Sequence, residues 1–253
     1  MLNSYYTETL KPRLKKWALS SGILQLDKLH LTRTQVAKRY LEGTGVEFGA
    51  LHYPLRVSGR VTVKYADMET LEQLRKSFPE ISNIKAPDFV TDLESMRGID
   101  DASMDFVIAN HVMEHVEDPL RALTSISRVL RPSGIAFIAL PDKRFTFDRD
   151  RVITPLDHLI KDHKDGPDWS LAGHYAEWAR CVDLLTGEEY KLKCQMMLAA
   201  RSNIHFHVWD YAAMLEMFTY VTKMPGLNLQ VELSMLNEIE VIWILRKAAA
   251  KGA

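Results

Sequence analysis

Cysteine is nearly absent from this chain: only Cys181 and Cys194 are present, thirteen positions apart. Two thiols build neither a disulfide framework nor a four-cysteine zinc site, so they read as reduced thiols of a cytoplasmic protein. Long apolar runs are missing too. No stretch approaches ~18 uncharged apolar residues, so no membrane span and no membrane partner are expected. The first residues, MLNSYYTETLKPRLKKW, carry charges with no apolar run behind them, which is not the pattern of a secretory leader. A surplus of one charge is lacking as well. Lys and Arg total 32 against 33 Asp and Glu, a net charge of −1. A dedicated nucleic-acid binder needs a basic excess, so no nucleic-acid partner is expected. Repeats and low-complexity tracts do not stand out.

What remains is an ordinary globular composition, 47% hydrophobic and 26% charged over 253 residues. That length suits one α/β domain carrying an insertion. Residues 1–42 read as helices, with Leu10, Leu14 and Trp17 at helical spacing and Leu26, Leu29 and Leu31 following. Strand-like runs then alternate with helices. Runs at 45–50, 61–65 (closing at Asp67), 88–92, 104–110 and 135–140 read as strands. Segments 69–78 and 119–131 read as helices, the second stopped by Pro132-Ser133-Gly134. This rhythm predicts a parallel sheet with helices on both faces. Residues 143–207 break it and read as an insertion. It resumes with a helix at 211–222 and strands at 230–236 and 240–246, which pair as a hairpin around Asn237-Glu238.

In an open parallel sheet, ligands bind beyond the carboxyl ends of the strands where strand order reverses. Here those ends are Glu47-Phe48-Gly49-Ala50, Asp67, Asp92-Leu93 and Asn110-His111. Asp67 lies twenty residues after Glu47, the spacing at which a carboxylate grips a ribose diol. A turn of small residues after the first strand lets backbone approach a ligand closely. An acid at the third strand can accept a bond from an adenine amino group. Together these features describe an adenosine pocket.

VEFGA, YAD, TDLE, DFVIANHVMEHVEDPLRAL and VLRPSGIAFIALP, in that order over about Gly43–Asp142, resemble the motif series of class I S-adenosylmethionine (SAM) methyltransferases. The resemblance implies an α/β, Rossmann-like fold: a mostly parallel seven-stranded sheet, helices on both faces, an N-terminal helical cap (1–42) and a lid insertion (143–207), all one SAM-binding domain over 1–253. It implies SAM as cofactor and S-adenosylhomocysteine as product. It also implies roles. Glu47 orders the first loop and reaches the cofactor's amino group through backbone or water. Gly49 and Ala50 line the methionine moiety. Asp67 holds the ribose and Met68 packs on adenine. Asp92 and Leu93 flank adenine, and Asn110 and His111 close the pocket beneath the sulfonium. One departure is clear: the family's E-x-G-x-G-x-G loop keeps only Glu47 and Gly49 here, with Pro54 a few residues on. SAM has no phosphate, so the loop need not cradle one, and the missing glycines argue against a dinucleotide.

Methyl transfer requires alignment of a nucleophile and, for some acceptors, removal of a proton. His115 is a candidate base by its position near the reacting centre. His174 and Tyr175, in the titratable and aromatic cluster 173–178, are candidate catalytic residues of the insertion, with aromatic walls suited to a sulfonium. Tyr5 and Tyr6 could supply part of that wall. His111-Val-Met-Glu114-His115 spells H-x-x-E-H, an inverted zinc-protease pattern that needs both His on one helix face plus a third ligand; here it opens at the mouth of a buried strand, inside a motif explained otherwise, so no metal is expected there. His205 and His207 read as one polar face of a strand in preference to a base or metal pair.

The expected activity is methyl transfer from SAM to an O or N atom of a small molecule, a specialised metabolite or a sugar, by a monomer or homodimer. The alternatives are an intramolecular cyclisation of SAM that expels methylthioadenosine, and a non-catalytic partner on a degenerate fold.

Overall fold

The computed structural model describes residues 23–249. The helices expected before residue 23, and Tyr5 and Tyr6, lie outside the described residues.

Helix α1 (Ile23–Tyr40) leads into strand β1 (Gly43–Phe48). After a long loop come β2 (Val61–Asp67) and a short helix α2 (Leu71–Ser77). Thr70 and Gln73 start α2 with a reciprocal capping box. β3 is two residues, Phe89–Val90, shorter than the run 88–92 suggests, because Asp92 starts a turn by accepting the Ser95 N–H at 2.7 Å. β4 (Met104–Asn110) leads to α3 (Pro119–Val129), which Asp118 caps through the Arg121 N–H. β5 (Leu130–Pro141) begins directly after α3, so Pro132-Ser133-Gly134 lies within an irregular strand start, Ser133 at φ +66°.

The sheet has seven strands in the order β3-β2-β1-β4-β5-β7-β6, with β6 (Leu229–Asn237) and β7 (Glu240–Lys247) the closing hairpin. All pairs from β3 to β5 are parallel, and β7 runs antiparallel to both neighbours. The order reverses between β1 and β4, and the registered pair Phe48–Ala109 brings their carboxyl ends level.

Side-chain alternation splits the core into two layers. Val107, Ala109, Ile138 and Trp243 face α3 and α7 (Tyr211–Val221), where Leu123, Ile126, Met217 and Phe218 meet them. Phe106, Ile108, Phe137 and Ile244 face Val36, Ala37 and Leu41, at and just beyond the end of α1.

Residues 143–210 leave the sheet and form α4 (Leu156–Asp165), α5 (Asp168–Cys181) and α6 (Gly187–Ala200). Their own core gathers Leu171, Tyr175, Trp178, Met197 and Phe206. Residues 203–209 form no strand. They run irregularly over the sheet end, the Phe206 N–H donating to the Glu114 carbonyl at 2.7 Å. Cys181 and Cys194 are free thiols. Among the described residues, no helix is long and apolar enough to cross a membrane.

Candidate active site

A cleft of about 440 Å³ opens at the carboxyl ends of β1, β2 and β4, where the strand order reverses. Gly49, Asp67, Met68, Asp92, Leu93, His111 and His115 line it.

At the β1–β2 end of the cleft, the Gly49 N–H donates to the Ala66 carbonyl at 3.1 Å, and the residue sits at φ +63°. A Cβ there would come 3.0 Å from Val112 Cγ2, so a glycine keeps this wall open. Burial raises the pKa of Asp67, whose carboxylate also accepts the Glu69 N–H at 3.2 Å. Met68 is largely exposed at the rim. The Asp92 carboxylate already holds Ser95 with both oxygens, at 2.7 Å to its N–H and 2.7 Å to its hydroxyl. Its local duty as a turn former was not foreseen.

Three expected pocket residues do not line the cleft. Glu47 is buried behind it, its two oxygens accepting the Leu55 N–H at 2.8 and 3.1 Å. It thus ties the β1–β2 loop down, while no contact of its carboxylate reaches the cleft. Burial drives its pKa up to about 7, against the opposing pull of the Leu55 N–H, Arg33 and Lys85. Ala50 is buried, and Asn110 holds its Oδ1 in the interior without a hydrogen-bond partner.

At the other end of the cleft, His111 stands at φ +54° immediately after β4. This left-handed turn aims the ring across the sheet, so that its Nε2 donates to Glu240 Oε2 at 2.7 Å. Glu240 is fully buried at the start of β7 and also pairs with Arg33 of α1 and with Asn237 Nδ2 at 2.8 Å. Burial alone would raise the Glu240 pKa, but Arg33 and His111 outweigh it and hold it at about 2. A permanently charged carboxylate therefore fixes the tautomer and orientation of a cleft-lining imidazole. The ring's other nitrogen lies 3.8 Å from Glu114 Oε1.

His115 lies at the cleft wall with Nδ1 donating to the Ile204 carbonyl at 3.1 Å and facing Asn203 Oδ1 at 2.9 Å. Burial and the neighbouring His205 lower its pKa to about 3. The structure brings Glu114, His115 and His205 together, with His205 Nδ1 donating to Asp148 Oδ2 at 2.7 Å. Glu114 has neither carboxylate oxygen hydrogen-bonded, and burial lifts its pKa to about 7.

His174 and Tyr175 are not at the cleft. Both are buried within the insertion, where the Tyr175 hydroxyl donates to the Ser202 carbonyl at 3.0 Å and packs on Phe206. The inward face of α5 runs Leu171, Tyr175, Trp178, an i, i+4, i+7 stripe that reads as core. The insertion instead reaches the cleft with Arg201, Asn203 and Phe206. Arg201 straps it to the sheet end, with 2.8 Å to Glu117 Oε1 and 3.0 Å to Asp168 Oδ1. Glu94 lines the cleft too, accepting the Glu117 N–H at 2.8 Å. The sequence reading missed Arg201, Glu94 and Glu240; for Glu240 no local signal exists, since it meets His111 from 129 positions away.

Residues 42–138 match the family model described as a methyltransferase domain. Among solved structures, a SAM-dependent methyltransferase of Thermotoga maritima, described as a possible histamine N-methyltransferase, is 14% identical over 98% of this chain and 100% of that one, at TM-score 0.50. A Haloferax volcanii protein described as a putative methyltransferase, solved in complex with the Trm112 methyltransferase activator, is 13% identical over 97% of each chain, also at TM-score 0.50. A curated relative, an uncharacterized 37.1 kDa protein in transposon TN4556 of Streptomyces fradiae, is 31% identical over 100 residues. That match spans 40% of this chain and only 28% of the relative. Residues 42–138 thus match a methyltransferase-domain family model, and the sheet that carries them has the class I SAM-dependent methyltransferase fold.

Proposed function

We propose that this chain transfers the methyl group of SAM to an oxygen or nitrogen of a small-molecule acceptor, with His111 as the general base. The observation that carries the reading is the cleft itself: a nucleoside-type wall at one end and an imidazole oriented by a buried carboxylate at the other. Its volume of about 440 Å³ lies in the range of small-molecule sites.

SAM, the cofactor of this family, supplies an activated methyl on a sulfonium. The residues present fit it. Gly49 leaves room for backbone-close approach, Asp67 offers a carboxylate for a ribose diol, and Met68 and Leu93 give apolar surface for adenine. The chain's own work is to hold the acceptor in line and to take its proton. His111 donates through Nε2 to Glu240, so its Nδ1 is the basic atom. Glu240, charged throughout the neutral range, stabilises the imidazolium that results. His111 would take the proton released by the acceptor, while SAM held at Gly49, Asp67 and Met68 would supply the methyl group and be released as S-adenosylhomocysteine. His115 has its Nδ1–H engaged by the insertion and acts in positioning residues 203–206. A net charge of only −1 supports a small acceptor rather than a nucleic acid.

The test is to incubate purified protein with SAM, first alone and then with panels of small hydroxylated and amino compounds, and to identify the nucleoside released. Adenosylhomocysteine that appears only with an acceptor supports the proposal. Methylthioadenosine from SAM alone would show that the cofactor is consumed by its own cyclisation. Failure to bind SAM at millimolar concentration would remove the enzymatic reading altogether.

A further inference from the structure

Away from the cleft, four side chains of the insertion converge on one buried point. His158 and Asp162 lie one turn apart on α4, His174 comes from α5, and His207 from the segment crossing the sheet end. Each presents a ligand-type atom within 4.8 Å of the others. His158 Nε2 is 3.1 Å from His174 Nε2 and 3.1 Å from Asp162 Oδ2. Those edges are close to the ~3.3 Å separation of ligands in a tetrahedron with zinc–ligand bonds of about 2 Å.

Hydrogen bonding alone leaves this cluster poorly satisfied. Asp162 is fully buried, and its Oδ2 accepts no hydrogen bond, while Oδ1 takes the Ser170 hydroxyl at 3.0 Å. His207 donates from Nε2 to the Glu117 carbonyl at 3.1 Å, which leaves Nδ1 as a bare lone pair, buried and without a partner. Asp162 Oδ2 has ring nitrogens of His158 and His207 at 3.1 and 3.9 Å but no hydrogen bond, and such buried polar atoms are costly in an interior. Arg151, also in the insertion, is paired with Asp148 and Glu177 at 2.9 Å each.

We propose that His158, Asp162, His174 and His207 form a closed, four-coordinate structural zinc site. Three imidazoles and one carboxylate are a borderline-soft set that suits Zn²⁺ and not the hard cations Mg²⁺ or Ca²⁺. The Ser170 hydroxyl on Asp162 and the Glu117 carbonyl on His207 are the outer partners that orient such ligands. Four protein ligands leave no open position, so the ion fastens α4 and α5 to the 203–209 segment and takes no part in methyl transfer. Because that segment also carries Asn203 and Phe206 to the cleft, metal loading sets the shape of the cleft wall. The inference is independent of the proposed reaction.

Protein prepared without a histidine tag should retain one equivalent of zinc per chain through dialysis, by elemental analysis. Co²⁺ added to chelator-stripped protein should produce the intense visible absorption of a tetrahedral site, and stripping should lower the thermal midpoint by about 5 °C or more. His174→Ala and Asp162→Asn should lose the ion, while His174→Cys should keep it and His115→Ala should still bind one equivalent. Stripped wild-type protein that stays folded, with a midpoint unmoved by Zn²⁺, overturns the site. So does retention of zinc by His174→Ala with loss in His115→Ala, which would place the ion at Glu114, His115 and His205.

Discussion

His111 Nε2 and Glu240 Oε2 lie 2.7 Å apart although 129 residues separate them in the chain. The pair joins the loop after the central strand β4 to the first residue of the last strand β7, and Arg33 holds the carboxylate from the far side. His111→Ala is expected to lower kcat by about 10²–10⁴-fold with S-adenosylhomocysteine affinity nearly unchanged. Steady-state kinetics together with calorimetric titration of the product checks this. An equal loss in both quantities would assign His111 to cofactor binding instead.

Asp67 places a partly buried carboxylate in the cleft, where the proposed reading puts the ribose of SAM. Asp67→Ala is expected to weaken S-adenosylhomocysteine binding by about 10–100-fold, the value of one or two charge-assisted hydrogen bonds. Asp67→Asn should retain part of the affinity. Isothermal titration of the three proteins against the product reads this directly.

Gly49 combines a left-handed backbone with a neighbour 3.0 Å from its missing Cβ. Gly49→Ala should cost about 1–2 kcal/mol of stability through backbone strain. It should also push Val112 into the cleft and raise the Kd for SAM. Denaturant melts with and without the product would separate the two effects.

Glu47 makes a pH prediction with a definite sign. Its folded pKa of about 7 lies above its ordinary value of 4.5, so the folded state holds a proton that the unfolded chain has released. Its contribution is complete below pH 4.5 and is lost as pH rises to about 7. Glu47→Gln keeps an acceptor for the Leu55 N–H and cannot ionise. The variant should therefore gain on the wild type between pH 5 and pH 8, by up to about 3 kcal/mol. Urea titrations at the two pH values measure it; a constant difference would mean that Glu47 ionises freely in the folded protein.

The sheet was legible because its evidence is local. Alternation at 104–110 and 135–140, the small-residue turn at Gly49 and the acid at Asp67 all sit where strand ends should place them. Gly49, Asp67, Met68, Asp92, Leu93 and His111 therefore line the cleft as expected, while Glu47, Ala50 and Asn110 stand behind its wall. The reacting side was less legible. His111 was visible as a strand-end residue, but its partner Glu240 is fixed only by the position of β7 between β5 and β6. His174 and Tyr175 drew notice as a cluster of titratable and aromatic types. Their helix turns that face into the insertion's own core, a choice made by Leu171 and Trp178 that a list of residue types does not convey. His205 and His207 look alike in the sequence, yet the backbone between them is no strand, and they go to two different clusters.

The Arg33–Glu240–His111 contact has a consequence for how such a protein can be divided. Residues 42–138 hold most of the nucleoside-facing wall and His111, but they contain neither Arg33 nor Glu240. Excised at those limits, the segment would present an imidazole without its carboxylate anchor and a left-handed loop with nothing to aim at. On the proposed reading the cleft is thus a split device: the cofactor-facing residues lie within 42–138, while the orientation of the imidazole depends on the first described helix and the last hairpin.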